Sequence, residues 1–241
     1  MQLFYAEDIN NNSKEYIFDK VESRHIVKVL RKTEGDILSI TDGKGNLYTV
    51  KIIHANDKKC IVSIIDKLTK KKTWNYYLHL AIAPTKNNDR LEWFLEKATE
   101  IGIDEISLLK CDHSERKIVK HDRLEKVVVS AMKQSLKYNL PKLNELVSFK
   151  DFILNSQSEF KFIAHCEDNE KKLLKQELEE IASKNNSPNI TILIGPEGDF
   201  SVNEIEVALQ QNFSPISLGE SRLRTETAGI VATQTTAIIL D

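Results

Sequence analysis

Two stretches of the chain carry residue types that could hold a ligand and act on it. The first is Ile192-Leu193-Ile194 running into Gly195-Pro196-Glu197-Gly198-Asp199-Phe200-Ser201. An apolar run broken by glycines reads as a buried strand opening into a turn, where the backbone can come close to a ligand. Ser201 and Glu204 have the Ser-x-x-Glu spacing of a capping box, so a helix should start directly behind that turn. The second stretch is Ile216-Ser217-Leu218-Gly219-Glu220-Ser221-Arg222-Leu223-Arg224-Thr225-Glu226-Thr227-Ala228. Arg222 and Arg224 flank a leucine that could tuck into the core and hold both guanidinium groups in place. Arginine suits forked recognition of phosphate or carboxylate and can stabilise an anion as it forms. Glu197 and Glu226 could accept a proton or orient an arginine. A plain strand–turn–helix corner and a solvated loop with a helix cap would account for the same residues without any chemistry.

Other chemistries lack their signatures. No Gly-x-Gly-x-x-Gly follows a strand, no phosphate-binding P-loop occurs, and no His-Glu-x-x-His or Cys/His set suggests a metal. The six histidines (His25, His54, His79, His113, His121, His165) are scattered, and His79 and His165 read as core residues of strands. Cys60, Cys111 and Cys166 are odd in number and far apart, which fits a reducing cytoplasm rather than a disulfide framework. The start of the chain reaches Glu7 and Asp8 without the basic and apolar segments of a signal peptide, and no apolar run is long enough to span a membrane.

The elements that must position the two loops follow from periodicity. Strands are expected over Tyr76–Ala83, Ile106–Leu109, Phe162–Ala164, Ile190–Ile194 and Ile216–Leu218. Helices are expected over Asp89–Ile101, Asp122–Leu136 (with Leu136 inward), Glu170–Ala182, Val202–Leu209 and Thr227–Leu240. Such alternation implies a mainly parallel sheet covered by helices, with ligands beyond the carboxyl ends of its strands. The front of the chain differs. Asp36–Thr41, Leu47–Ala55 and Cys60–Leu68 are short β-branched runs around the turn Asp42-Gly43-Lys44-Gly45-Asn46, which suggests a small barrel or curled sheet. Lys70-Lys71-Lys72 marks the boundary, giving domains over 1–72 and 73–241.

Charge is unevenly spread. Residues 1–72 hold 14 Lys/Arg against 10 Asp/Glu, while residues 141–241 hold 9 against 16. A basic front fits a polyanionic partner, although many ordinary surfaces are as lopsided.

The two loops, LIGPEGDFSVNE and LGESRLRTETAG, together resemble the SPOUT superfamily of methyltransferases and, more narrowly, the bacterial 16S ribosomal RNA uridine-N3 methyltransferase family. HIVKVLRKTEGD at His25–Asp36, KATEIGIDEISLL at Lys97–Leu109, ERKIVK at Glu115–Lys120 and MKQSLKYNLPKL at Met132–Leu143 are similar to further segments of that family, in the same order. The resemblance covers essentially the whole chain. It implies a PUA-like RNA-binding β-barrel followed by an α/β domain with a deep trefoil knot around Ile194, Leu218 and the loop 219–227. It also implies a homodimer, S-adenosylmethionine as cofactor and the small ribosomal subunit as substrate. On that reading Leu193, Ile194, Gly195, Gly198, Leu218, Gly219, Leu223 and Thr227 hold the cofactor. Arg224, Glu197, Arg222 and Glu226 handle charge and protons. Arg31, Lys32, Arg116, Lys117, Lys120, Arg123 and Lys137 meet RNA. Two departures stand out: Leu136-Lys137 replaces a frequent Gly-Arg, and Asp199 stands where many members carry glycine. The competing readings are a related enzyme acting on a ribose 2′-hydroxyl or on transfer RNA, and a non-catalytic RNA-binding assembly factor.

Overall fold

Strand and helix signals sort the chain into two units in the computed structural model, which describes residues 2–9, 14–167 and 170–240. One unit comprises Met1–Lys72 with Met132–Leu140, and the other Thr73–Ala131 with Pro141–Asp241.

The first unit contains β1 (Leu3–Tyr5), β2 (Glu15–Ile17), α1 (Lys20–Arg24), β3 (Ile37–Thr41), β4 (Asn46–His54) and β5 (Ile61–Thr69). Its sheet has the order β1-β3-β4-β5-β2. Along β4 the side chains alternate: Tyr48, Val50 and Ile52 are buried while Lys51 and Ile53 are exposed, as a half-buried strand requires. Register shifts at Thr49/Val50 and Ile52/His54 curl this strand around a core that includes Phe4, Ile26, Ile40 and Val62. Asp19 caps α1 by accepting from the Glu22 amide at 2.7 Å. The helix then widens into a π-helical turn over His25–Val29, within the segment HIVKVLRKTEGD. Gly43 and Gly45 lie at φ 72° and 88° in the β3–β4 turn, the left-handed region that glycine tolerates. Met132–Leu140 docks on that turn: the Gly45 amide donates to the Tyr138 carbonyl and the Leu140 amide to the Gly43 carbonyl, each at 2.8 Å.

The second unit holds β6 (Tyr77–Ile82), α2 (Asn88–Ile101), β7 (Glu105–Lys110), α3 (His121–Gln134), β8 (Lys142–Ser148), α4 (Phe149–Asn155) and β9 (Phe160–Ala164). It continues with β10 (Lys172–Leu173), α5 (Leu174–Ala182), β11 (Asn189–Ile194), α6 (Val202–Gln210), β12 (Ser214–Ser217) and α7 (Thr225–Leu240). Seven parallel strands run in the order β10-β12-β9-β11-β6-β7-β8. β11 sits between β9 and β6 with Ile190 to Ile194 buried, so a continuous apolar run is the sequence it needs. α2 starts under the Asn87 cap and stops at Gly102, φ 137°. It buries Leu91, Phe94, Leu95 and Ala98.

Two expectations need correction. The helix expected to reach Leu136 ends at Gln134; Leu136 has φ 54° and is exposed, so it cannot continue the helix or face inward. The helix expected from Glu170 begins at Leu174, because Lys172–Leu173 first pair in parallel with Ile216–Ser217.

A polar ladder crosses β6, β7 and β8. His79 Nε2 and the Ser107 hydroxyl share a hydrogen bond of 2.8 Å, while Asn144 donates to Ser107 Oγ at 2.8 Å and to Glu105 at 2.6 Å. Tyr77 and Lys142 also donate to Glu105, at 2.6 and 2.9 Å. Burial holds His79 well below the ordinary 6.5, at about 4. For Glu105 burial pushes upward, but the bonds from Tyr77, Asn144 and Lys142 outweigh it and leave the carboxyl at about 2. Both groups are depressed in the folded chain. Their stabilisation is therefore present above their unfolded values and fades as pH falls through the folded ones, with His79 acting first, between pH 6.5 and 4. Its displacement corresponds to about 3 kcal/mol. Urea unfolding should lose roughly that much between pH 7 and pH 4, with His79→Asn flattening the slope in this window; an unchanged slope in the variant would assign the acid sensitivity elsewhere.

Candidate active site at the carboxyl ends of three strands

The ends of β9, β11 and β12 open onto two adjoining cavities. The smaller, about 280 Å³, is lined by Ala164, Cys166, Ile194, Gly195, Pro196, Glu197, Asp199, Arg222, Leu223, Arg224, Thr225 and Ala228. The larger, about 410 Å³, is lined by Ala164, His165, Cys166, Lys171, Ile216, Ser217, Leu218, Gly219, Glu220, Ser221, Arg222, Leu223 and Ala228. Both loops singled out in the sequence meet here, at the place where an open parallel sheet binds ligands.

Local chemistry holds the first loop. Gly195 packs so closely that a Cβ would lie 3.1 Å from the Phe200 ring and 3.2 Å from its amide nitrogen. The capping box forms: Ser201 Oγ accepts from the Glu204 amide at 3.2 Å and Glu204 Oε2 from the Ser201 amide at 2.9 Å. The other Glu204 oxygen takes the Asp112 amide at 2.9 Å, tying the loop behind β7 to the same helix start. His113 Nδ1 donates to the carbonyls of Gly198 and Asp199 at 3.1 and 3.0 Å, which places its proton on Nδ1. Asp199 sits at φ 62°, where glycine is the unstrained residue. It makes use of its side chain by accepting from the Cys166 amide at 2.7 Å, so the first loop is fastened to the end of β9.

The candidate residues divide clearly. Glu197, Arg222 and Arg224 are exposed at the cavities, and Glu197 Oε1 accepts from the Lys86 amide at 2.9 Å. Glu226 is elsewhere. It is buried in the first turn of α7, its Oε1 lies 3.6 Å from Arg90 Nε, and its Oε2 has no hydrogen-bond partner among the described residues. Among the proposed cofactor residues, Ile194, Gly195, Leu218, Gly219 and Leu223 line the cavities. Leu223 is half-buried at their junction rather than in the core. Leu193 is wholly buried in the core behind them, and Gly198 packs on His113. Thr227 is half-buried on α7, off both cavity walls.

The basic residues fall on both units. Arg31, at φ 55°, Lys32 and Lys137 belong to the first. Arg116, Lys117, Lys120 and Arg123 belong to the second. Arg116 Nε donates to the Thr85 carbonyl at 3.0 Å and its Nη2 to that of Lys86. Arg123 pairs with Glu92 at 2.6 Å. Arg116 thus braces the loop on which Glu197 rests. His165 was passed over as a core histidine. It is indeed buried, but it lines the larger cavity and both ring nitrogens lack partners among the described residues, a feature that only the fold exposes.

A family model described as an RNA methyltransferase domain matches residues 72–237, and one described as an RNA methyltransferase PUA domain matches residues 18–65. The chain belongs to the RNA methyltransferase family. It is 29% identical to ribosomal RNA small subunit methyltransferase E of Buchnera aphidicola, over 96% of this chain and 90% of that one. It is 26% identical to the protein of the same name from Bacillus subtilis, over 88% and 85%. Among solved structures it is similar to a probable rRNA-methyltransferase from Porphyromonas gingivalis (TM-score 0.87, 41% identity, covering 97% and 96%). It is also similar to ribosomal RNA small subunit methyltransferase E from Neisseria gonorrhoeae bound to S-adenosyl methionine (TM-score 0.79, 26% identity, covering 97% and 95%). No helix among the described residues is long and apolar enough to cross a membrane, and no cluster of ligating side chains among them could hold a metal.

Proposed function

We propose that this chain methylates N3 of a uridine in 16S ribosomal RNA of the small subunit, using S-adenosylmethionine. The observation that carries the reading is the pair of joined cavities, which share an apolar wall of Ala164, Leu223 and Ala228, with Arg222, Arg224 and Glu197 at the smaller of the two. The walls suit the cofactor. Ala164, Ile194, Leu223 and Ala228 offer an apolar slot. Gly219, at φ 126°, has no atom within 4 Å of where a Cβ would stand, so that wall admits a close ligand. Backbone groups of Ile194, Gly195, Leu218 and Gly219 would hold the adenine and ribose, with Leu193 as a rigid backing and Leu223 packed against the ligand. When bound, S-adenosylmethionine supplies a methyl group on a positively charged sulfur, reactive enough that the protein mainly has to orient its partner and exclude water.

The acceptor nitrogen lies on the Watson–Crick edge, so the uracil must be unpaired or turned out of its helix. Loss of the N3 proton leaves an anion. Arg224, with Arg222 beside it, stabilises that charge at the smaller cavity. Glu197, whose carboxylate stands at the same cavity, receives the proton. Glu226 is committed to Arg90 and to anchoring α7, not to the reaction. Residues 1–72 serve as the RNA-binding domain, joined by the excursion at 132–140, and residues 73–241 as the methyltransferase domain. RNA is met by Arg31, Lys32 and Lys137 of the one and by Lys117 and Lys120 of the other, while Arg116 and Arg123 act through their braces. The knot around Ile194 and Leu218, a homodimer and a cytoplasmic setting complete the proposal. Nucleoside analysis of the product tests it: 3-methyluridine supports the assignment, and a ribose-methylated nucleoside overturns the choice of atom.

A further inference from the structure

His165 is a buried imidazole with nothing among the described residues to bond to. It follows β9 directly, only 7% of its surface is exposed, and among the described residues neither Nδ1 nor Nε2 has a hydrogen-bond partner. Leaving a polar group buried and unpaired costs free energy, so such groups in folded proteins usually meet a partner that enters from outside the chain. The ring borders the larger cavity beside Lys171, Ser217 and Gly219. Lys171 does not bond the ring; its ammonium donates instead to the carbonyls of His165 and Glu167 at 2.8 and 2.6 Å. Those two bonds hold the segment after β9 in place and fix the histidine from behind. Burial, reinforced by the nearby Lys171 charge, keeps the ring neutral. A neutral imidazole has one donor and one acceptor. The two point to opposite sides of the ring, so the nitrogen that faces the cavity can bond one hydroxyl, which donates or accepts as the tautomer requires; an anionic carboxylate could be met only by the donating nitrogen.

We infer that His165 is a cofactor-binding residue that hydrogen-bonds one ribose hydroxyl of the nucleoside from the wall of the larger cavity. This rests on the methyltransferase reading of the same site. It places the ribose on the β9–β12 side of the joined cavities, and leaves Arg224 and Glu197 of the smaller one for the reacting end and the uracil.

The test is calorimetric titration of the full chain and of His165→Ala with S-adenosylhomocysteine, its 2′-deoxy and 3′-deoxy analogues, and 5′-methylthioadenosine, which lacks the amino-acid end. The substitution should weaken S-adenosylhomocysteine and 5′-methylthioadenosine alike, each about tenfold. At least one deoxy analogue should bind the two proteins with nearly equal affinity, because its missing hydroxyl is the one His165 held. A merely structural role would weaken every ligand by the same factor, deoxy analogues included, and would overturn the inference. Unchanged affinity in the variant would overturn it while leaving the methyltransferase reading intact. Failure of the unsubstituted chain to bind any of the four would sink both. His165→Gln guards against a folding defect: it keeps a donor and an acceptor, and should recover part of the lost affinity for S-adenosylhomocysteine but not for the indifferent deoxy analogue.

Discussion

Arg224→Ala should lower the rate of methyl transfer by about 10²–10³ with cofactor and RNA both saturating, the range expected when a preorganised charge stabiliser is lost. Arg224 stands at the smaller cavity one residue before α7 begins, so its guanidinium is carried by a rigid helix start rather than by a free loop. Its backbone carbonyl accepts from the Ala228 amide at 2.8 Å, a bond that alanine keeps, so the helix should survive the change. The loss should therefore appear in turnover, with cofactor affinity and melting temperature little altered. Arg224→Lys keeps the charge without the fork and should recover only part of the rate. Near-normal turnover in Arg224→Ala would move the role to Arg222, which borders both cavities.

Gly229→Val should destabilise the second unit by about 3 kcal/mol or more, because it overfills a closed core. Gly229 is buried where α7 crosses α2 and β6. A Cβ there would lie 2.6 and 2.8 Å from atoms of the Phe94 ring and 3.1 Å from Ile82. Phe94 and Ile82 are themselves wholly buried, so neither has room to yield. The opposing effect is smaller: replacing a helix-interior glycine gains at most about 1 kcal/mol of propensity. Urea unfolding of Gly229→Val should show a reduced midpoint with an unchanged slope, and pairing Gly229→Ala with Phe94→Leu should restore part of what Gly229→Ala loses. Stability equal to that of the unsubstituted chain would mean that α7 can lift away from α2 at little cost. Since α7 begins at Thr225, the same helix carries the arginine loop, and packing at Gly229 is part of what positions the site.

What could be read from the residues alone follows physical lines. β11 and the turn behind it were legible because a wholly buried parallel strand is a continuous apolar run and the capping box is a short-range pattern. The two loops were also legible as loops, but their meeting at one pair of cavities depends on β9, β11 and β12 lying side by side, which spacing cannot show. The strands that escaped the reading are β1, β2, β8 and β10. The first, second and fourth have three residues or fewer. β8, Lys142–Ser148, is an edge strand whose residues are all half-buried or exposed, so it has no buried apolar run to announce it.

The misplaced end of α3 has a similar cause. Leu136 continues the apolar spacing of the helix, but the chain needs a left-handed turn there to carry Met132–Leu140 to the β3–β4 hairpin. That long-range docking leaves no local trace. The resemblance noted that this position is often glycine in the family, and φ 54° at Leu136 gives the reason; φ 62° at Asp199 does the same for the other departure. Glu226 and His165 differ in a way that local sequence does not show. Both are polar residues with unsatisfied atoms, but the first faces Arg90 and the second faces a cavity, a distinction set by packing between elements far apart in sequence.

The most direct test of the account is methyl transfer from labelled S-adenosylmethionine to purified small ribosomal subunits that lack the modification, followed by digestion of the 16S RNA to nucleosides. The account predicts label in 3-methyluridine, at a single position, and its loss in Arg224→Ala. Competent subunits and folded protein that yield no labelled nucleoside, or label only on a ribose, would contradict it.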